Sequence, residues 1–266
     1  MKKTMLSLSF LVLLAIAAGC QSTQKEINNS QTTSKELQKL NEKSERTDIS
    51  DSSGRYQDHS QRWTHMASTV VRIVALQPSD DTLIEDKHHS SGMLLSGGQV
   101  VTTAHSLKEA KEIRVRHEGD TYSGILADSD KEKDLAIIEL SDNYDFDHDS
   151  HVDFNNSPIL GEKTYCLGFP VLEGVEDEGP TITSGIVGAL DRSLRRSNGQ
   201  MQSGLIQIDA VAKHGNSGGP AFNMKGKFVG LVGYTIATRN IWSGATFLIP
   251  AKQVENFLEK QGIKVD

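Results

Sequence analysis

The sequence predicts an all-β fold, a sandwich or a barrel, closed by one C-terminal helix. Three observations predict it. Short β-branched runs recur between residues 70 and 249. Turn signals such as Ser96-Gly97-Gly98 and Met224-Lys225-Gly226 separate them, and short strands punctuated in this way are the pattern of sandwiches and barrels. Helical spacing is clear only at the end, where Val254, Phe257 and Leu258 stand at i, i+3 and i+4 behind Pro250, a residue suited to a first helical position.

The first run is Val70, Val71, Ile73, Val74 and Leu76. Candidate strands follow at 91–95, 100–103, 113–116, 122–127 and 135–140. A second series occupies 163–167, 181–187, 204–208, 221–223, 228–233 and 246–249. Pro158 and the polar segment 141–157 divide the two series, giving units of about 66–150 and 155–250 before a helix over 250–262. No internal repeat is evident, and the few residues after the helix predict no further folded domain.

The N-terminus reads as a targeting segment. Lys2 and Lys3 precede an apolar stretch at 5–16, and Ala17-Ala18-Gly19 then leads to Cys20. The stretch is shorter than the ~20 residues a spanning helix needs. The pattern resembles a bacterial lipoprotein signal, which implies removal of 1–19, lipidation of Cys20 and a place in the bacterial envelope on an extracytoplasmic face. Residues 20–61 are rich in Ser, Gln, Asn, Lys, Glu and Thr. Such a composition cannot bury enough apolar surface to offset ordering entropy. It predicts a flexible tether, ~35 Å across for a coil of ~40 residues, leaving 62–266 as the folded body. With Cys20 lipidated, Cys166 has no disulfide partner. Its apolar setting, Lys163-Thr164-Tyr165-Cys166-Leu167-Gly168, predicts a small buried hydrophobe.

Composition narrows the function. The 266 residues carry a net charge of −7, with 36% hydrophobic and 24% charged residues. That balance suits a globular body and, with no long basic run, argues against a nucleic-acid partner.

Three local patterns carry chemistry. His214-Gly215-Asn216-Ser217-Gly218-Gly219-Pro220 sets a serine in a glycine-rich turn. A nucleophilic serine needs an exposed, tight turn, and backbone N–H groups beside it can hold an oxyanion; here those of Gly215 and Ser217 would serve. Val100-Val101-Thr102-Thr103-Ala104-His105 ends a β-run in a histidine. Lys133-Asp134-Leu135-Ala136-Ile137-Ile138 begins an apolar strand with an aspartate. Each alone has an ordinary structural explanation. Together they supply a nucleophile, a base with an unperturbed pKa near ~6.5, and a carboxylate to orient that base. The chain order His105, Asp134, Ser217 is that of chymotrypsin-type enzymes, not of the serine-first α/β-hydrolases.

The chain resembles the trypsin-like HtrA family of bacterial envelope serine proteases. Beyond the three patterns, the resemblance rests on Ser91-Gly92-Met93-Leu94-Leu95, Leu167-Gly168-Phe169-Pro170, Thr183-Ser184-Gly185-Ile186-Val187-Gly188-Ala189-Leu190, Ile206-Gln207-Ile208-Asp209-Ala210 and Phe247-Leu248-Ile249-Pro250. It covers about 66–262. It implies two six-stranded β-barrels with the site between them, and an endopeptidase acting on unfolded or misfolded envelope proteins without metal or organic cofactor. The family usually carries a peptide-binding PDZ domain after the protease, and this sequence shows none, so regulation by such a domain would be absent or supplied elsewhere. Many members are trimers through N-terminal contacts; the corresponding region here is the expected tether.

The same architecture puts Val211, six residues before the serine, at the floor of the P1 pocket, with Leu231, Val232, Gly233 and Tyr234 along a wall; His214, where the family usually has no histidine, reads either as part of a substrate subsite or as a surface residue. Valine cannot pair a charge, and burying an unpaired one is costly, so an apolar P1 residue is expected. The Asp- and His-rich segment 145–153 lacks the glycine and glutamate of an EF-hand loop and reads as a solvated connection. His88-His89 reads as an exposed loop pair, and Arg192, Arg195 and Arg196 as solvated residues of a mobile loop over 191–202. Two alternative functions compete: a latent or non-proteolytic chaperone or binding module on a protease scaffold, and a passive lipoprotein that scaffolds partners.

Overall fold

The computed structural model describes residues 59–77, 86–141, 151–174, 179–196, 198–238 and 241–265. The expected signal segment, Cys20, the tether up to residue 58 and residues 142–150 of the acidic connection lie outside the described residues.

Two closed six-stranded barrels make up the body. The first contains β1 (Val70–Gln77), β2 (Asp86–Leu95), β3 (Gln99–Thr102), β4 (Glu112–His117), β5 (Asp120–Asp130) and β6 (Leu135–Leu140), in the order β1-β2-β3-β6-β5-β4. The second contains β7 (Lys163–Gly168), β8 (Thr181–Arg195), β9 (Met201–Ile208), β10 (Pro220–Asn223), β11 (Phe228–Thr238) and β12 (Ile241–Pro250), in the order β10-β11-β12-β9-β8-β7. The pairings within both barrels are antiparallel.

Successive side chains on a strand face opposite ways, and in β1, β3 and β6 of the first barrel both faces are largely buried. Val71, Leu94, Val100, Ala136 and Ile138 fill the barrel interior. Their neighbours Val70, Met93, Leu95, Val101, Leu135 and Ile137 face outward into a second cluster with Leu167, Phe222, Phe228 and Leu231 of the other barrel. That is why β6 reads as an unbroken apolar run and not as an alternation. Cys166, Ile206, Ile208, Ala221, Val229, Val232 and Leu248 form the interior of the second barrel. The buried Cys166 is a free thiol whose pKa burial pushes up to about 12, so it stays protonated and unreactive.

Among the described residues two helices pack outside the strands. Helix α1 (His59–Ser68) begins inside the segment expected to be tether. It is held by Met66, which is 2% exposed, by Trp63 against Tyr165 with ring centroids 4.3 Å apart, and by Arg62, which donates to the Met224 carbonyl at 2.9 Å. Helix α2 (Ala251–Lys260) buries Ala251, Val254, Phe257 and Leu258. Pro250 is its extended N-cap and not its first helical residue, one position from the expectation. The strands β8, β9, β11 and β12 run well beyond their expected spans, so most of 191–202 is paired hairpin. Among the described residues no helix is long and apolar enough to cross a membrane, and no group of three or more His, Cys, Asp or Glu is placed to hold a metal.

Candidate active site

Strand pairing sets two of the polar residues side by side. β3 runs antiparallel to β6, with Thr102 opposite Ala136, so the end of one strand meets the beginning of the other. After β3 the chain makes a short 3-10 turn, Ala104–Leu107, which lifts His105 off the barrel. Asp134 precedes β6 with φ at 58°, the left-handed region. Aspartate tolerates that region better than most residues. The turn before it is shaped by the Asp130 carboxylate, which accepts the N–H groups of Glu132 at 3.0 Å and Lys133 at 2.9 Å.

The Asp134 carboxylate is fully engaged. Oδ2 receives His105 Nδ1 at 2.7 Å and the Tyr234 hydroxyl at 2.5 Å, and Oδ1 accepts the His105 backbone N–H at 2.8 Å. Burial raises the pKa of this carboxylate. The hydrogen bond and charge of His105, with the Tyr234 hydroxyl, outweigh that and hold it below the usual value. Asp134 is therefore an anion at neutral pH despite being 1% exposed. A proton on Nδ1 pointing at this anion leaves Nε2 as the free acceptor of a ring that is 38% exposed.

Ser217 lies in the turn between β9 and β10, where the barrels meet. The Ser91 N–H of β2 donates to the Ser217 carbonyl at 2.9 Å. The Ser91 hydroxyl donates to the Gly215 carbonyl at 2.7 Å and accepts the Phe169 N–H at 2.8 Å. From the other side, the Gly218 N–H donates to the Val232 carbonyl at 2.7 Å. A Cβ on Gly218 would stand 2.3 Å from the Ser91 carbonyl oxygen, so only glycine lets the turn approach the first barrel this closely.

Residues 213–216 form a tight turn closed by the Asn216 N–H on the Lys213 carbonyl at 3.0 Å, with Gly215 at φ 97°. Positive φ at the third position marks a type II geometry, for which glycine is suited. The His214 carbonyl accepts the Val171 N–H at 2.8 Å. In a trans peptide the carbonyl and the following N–H point in opposite directions, so the Gly215 N–H is directed away from Val171. Among the described residues neither it nor the Ser217 N–H has a partner. Nor does a hydrogen bond join Ser217 Oγ to His105 there.

The other residues singled out in the sequence are distributed as follows. Val211 is 40% exposed, and its carbonyl accepts the Thr183 hydroxyl at 2.7 Å. Leu231 and Val232 are buried in two different clusters of the core, so only their backbone lies along the serine turn. The pairing of β11 with β12 slips between Val232 and Tyr234, and past this irregularity Tyr234 reaches across to the first barrel. His214 is exposed.

Two residues set aside in the sequence stand near the site. His88 belongs to β2, not to a loop, and its ring meets the edge of His214 at 5.1 Å. Burial, then His214, His105 and His89, lower its pKa. Arg196 is not merely solvated: it donates to the carbonyls of Lys131 at 2.9 Å and Glu132 at 2.8 Å. A cavity of ≈ 470 Å³ lies beside His105 and Asp134, bounded by Leu107, Lys131, Arg196 and Gln200. Ser91 was legible only as part of a strand motif; its role as a pin between barrels depends on residues far away in sequence.

Residues 90–231, more than half the chain, match the family described as the trypsin-like peptidase domain. The chain is 33% identical over 187 residues to the serine protease Do-like HtrA of Bacillus subtilis, covering 68% of this chain and 39% of that protein. It is 31% identical over 175 residues to a probable periplasmic serine protease do/HhoA-like of Haemophilus influenzae, covering 64% of this chain and 36% of that one. It thus spans roughly two fifths of the length of these curated relatives. The Rv3671c protease from M. tuberculosis, in its active form, superposes with a TM-score of 0.64 at 20% identity, covering 76% of this chain and 85% of that one, a likeness of fold. The chain belongs to the trypsin-like peptidases, of the HtrA type.

Proposed function

We propose that this protein is a serine endopeptidase whose triad is His105, Asp134 and Ser217. The observation that carries the reading is the His105–Asp134 pair at 2.7 Å; the serine turn, pinned to the first barrel through Ser91, adds two N–H groups without a partner among the described residues. In the reaction, Ser217 Oγ attacks the scissile carbonyl carbon as His105 Nε2 takes the hydroxyl proton. The carbonyl oxygen becomes an oxyanion held by the N–H groups of Gly215 and Ser217. The imidazolium, stabilised by Asp134, returns the proton to the leaving amine as the C–N bond breaks. Water then repeats the sequence on the acyl-enzyme and releases Ser217. The residues suffice for this chemistry without a cofactor.

The orientation of the His214 carbonyl toward Val171 supports a resting enzyme with its oxyanion site open, against the reading of a collapsed, latent scaffold. The Ser217–His105 hydrogen bond that catalysis needs would form as the site tightens on substrate. Such tightening is common, because catalytic hydrogen bonds are often long before substrate binds.

The substrates are unfolded or misfolded envelope proteins cleaved after apolar residues, a reading that rests on the resemblance to the HtrA family and, for the apolar preference, on Val211. The N-terminal pattern supports anchoring through a lipid on Cys20 at the bacterial envelope. The test is hydrolysis of denatured casein by the protein and by Ser217→Ala. The expected result is activity that disappears in the variant, and equal activity in both would remove the assignment. In a peptide library Val211→Asp should move cleavage toward Lys and Arg, because a carboxylate there could pair their charge. An unchanged library profile would remove Val211 from the P1 pocket.

A further inference from the structure

The carboxylate of Asp134 belongs to the first barrel, but two groups from the second barrel hold it and its turn. Tyr234 sits on β11 just past a slip in the pairing with β12. An irregularity of this kind re-aims the side chain that follows it. Gly233 stands at the slip, and a Cβ there would lie 3.2 Å from Ile249. The re-aimed phenol donates to Asp134 Oδ2 at 2.5 Å, and its ring is near-parallel to His105 with centroids 5.9 Å apart. Burial first, and then the charge and hydrogen bond of Asp134, push the phenol pKa far up, so it remains a donor at any working pH.

The second group is the end of the β8–β9 hairpin. Arg196 donates to the carbonyls of Lys131 and Glu132, and Gln202 donates to the Lys133 carbonyl at 3.0 Å. These are the three residues before Asp134, whose own backbone is held at φ 58°. The Arg196 guanidinium also interacts with the Tyr234 phenol, opposing the rise in its pKa. Left-handed backbone at a non-glycine residue costs energy and persists only where surrounding structure fixes it; here the hairpin supplies that fixation.

We propose that Tyr234 is a positioning residue of the triad, and that with Arg196, which holds the turn before Asp134, it locks the Asp134 carboxylate of one barrel from the other. The proposal rests on the protease reading above. Tyr234 fixes Oδ2 in the line of His105 Nδ1 and shares the carboxylate charge. Without the hydroxyl, the carboxylate would wander and would grip the imidazolium more tightly.

The test compares the protein with Tyr234→Phe and Arg196→Gln on an apolar-P1 peptide substrate. A hydrogen bond to a charged group, lost while the ring stays, should lower kcat about tenfold in Tyr234→Phe. KM should change less than about twofold, because a group remote from substrate affects turnover and not uniform binding. The acid limb of the pH–rate profile should move to higher pH, a change that loss of packing alone would not produce. Arg196→Gln should shift kcat and the limb in the same direction by less. A second readout does not need turnover: in the Ser217→Ala background, the low-field NMR signal of the His105 Nδ1 proton should shift when Tyr234→Phe is added. Unchanged kcat and pH limb in Tyr234→Phe, or an unmoved Nδ1 proton signal, would overturn the proposal. If the unmodified protein cleaves nothing, the protease reading fails on that result, while the Nδ1 signal still decides the role of Tyr234.

Discussion

Ser91→Ala removes one oxygen atom from the point where the two barrels meet the serine turn. Ser91 is fully buried. Its hydroxyl serves two backbone groups, the Gly215 carbonyl at 2.7 Å and the Phe169 N–H at 2.8 Å. Alanine leaves both without that partner in a place already closely filled. A Cβ built on Gly168 would lie 2.9 Å from this hydroxyl, a sign of how little space surrounds it. The space freed is smaller than a water molecule needs, so water cannot take over both bonds. Each orphaned buried group costs ~1–3 kcal/mol, so the two together predict a loss of about 2–6 kcal/mol in unfolding free energy. The 215–216 peptide, released on its carbonyl side, should also shift and carry with it the adjoining Gly215 and Ser217 N–H groups, so kcat should fall with little change in KM. Urea unfolding of the two proteins, read as a shift of midpoint at constant slope, measures the first effect. Peptide hydrolysis measures the second. A loss below ~0.5 kcal/mol, the level of an ordinary surface substitution, would refute the reasoning that Ser91 pins the turn.

Other consequences concern the turn and the imidazoles beside it. A Cβ on Gly215 would stand 2.3 Å from the Phe169 carbonyl oxygen at a φ of 97°. Gly215→Ala should therefore displace the N–H assigned to the oxyanion, and kcat should fall ~100-fold or more; activity within a few-fold of the unmodified protein would contradict it. His88 gives a pH dependence whose sign follows from its lowered pKa. Above its ordinary value of 6.5 the imidazole is neutral whether folded or unfolded and has no effect. As pH falls through 6.5 and then through the lower folded value, the unfolded chain takes up the proton first and folding stability declines. His88→Gln should lessen the fall in Tm between pH 8 and pH 5, and an identical fall in both proteins would exclude His88 as a cause. Asp134, also held low, adds a loss of the same sign further into acid, below its ordinary 3.8.

The sequence made the strand centres legible because burial on one or both faces requires β-branched and aliphatic residues there. It made the outer parts of the long strands illegible. Arg192, Leu194 and Arg195 look like loop, yet they pair with β9 in a hairpin. Helix α1 was hidden for a similar reason. Its buried face includes Arg62, whose burial depends on a carbonyl 162 residues away. The proposed triad residues were legible because each sits in a short local motif and the three stand in a known order. Ser91, Tyr234, Arg196 and His88 act through partners across the barrel interface. Local pattern says nothing of such partners, and an arginine at a hairpin tip looks the same whether it is solvated or holds a backbone turn.

The central claim is that Ser217 is a nucleophile activated by His105 across the barrel interface. The most direct measurement is covalent labelling by a fluorophosphonate, read as the mass of the intact protein and of the peptide that carries Ser217. The account predicts one adduct per chain, on Ser217, formed rapidly in the unmodified protein and far more slowly in His105→Ala. Absence of labelling in the folded, unmodified protein, or labelling at the same rate without His105, would contradict it.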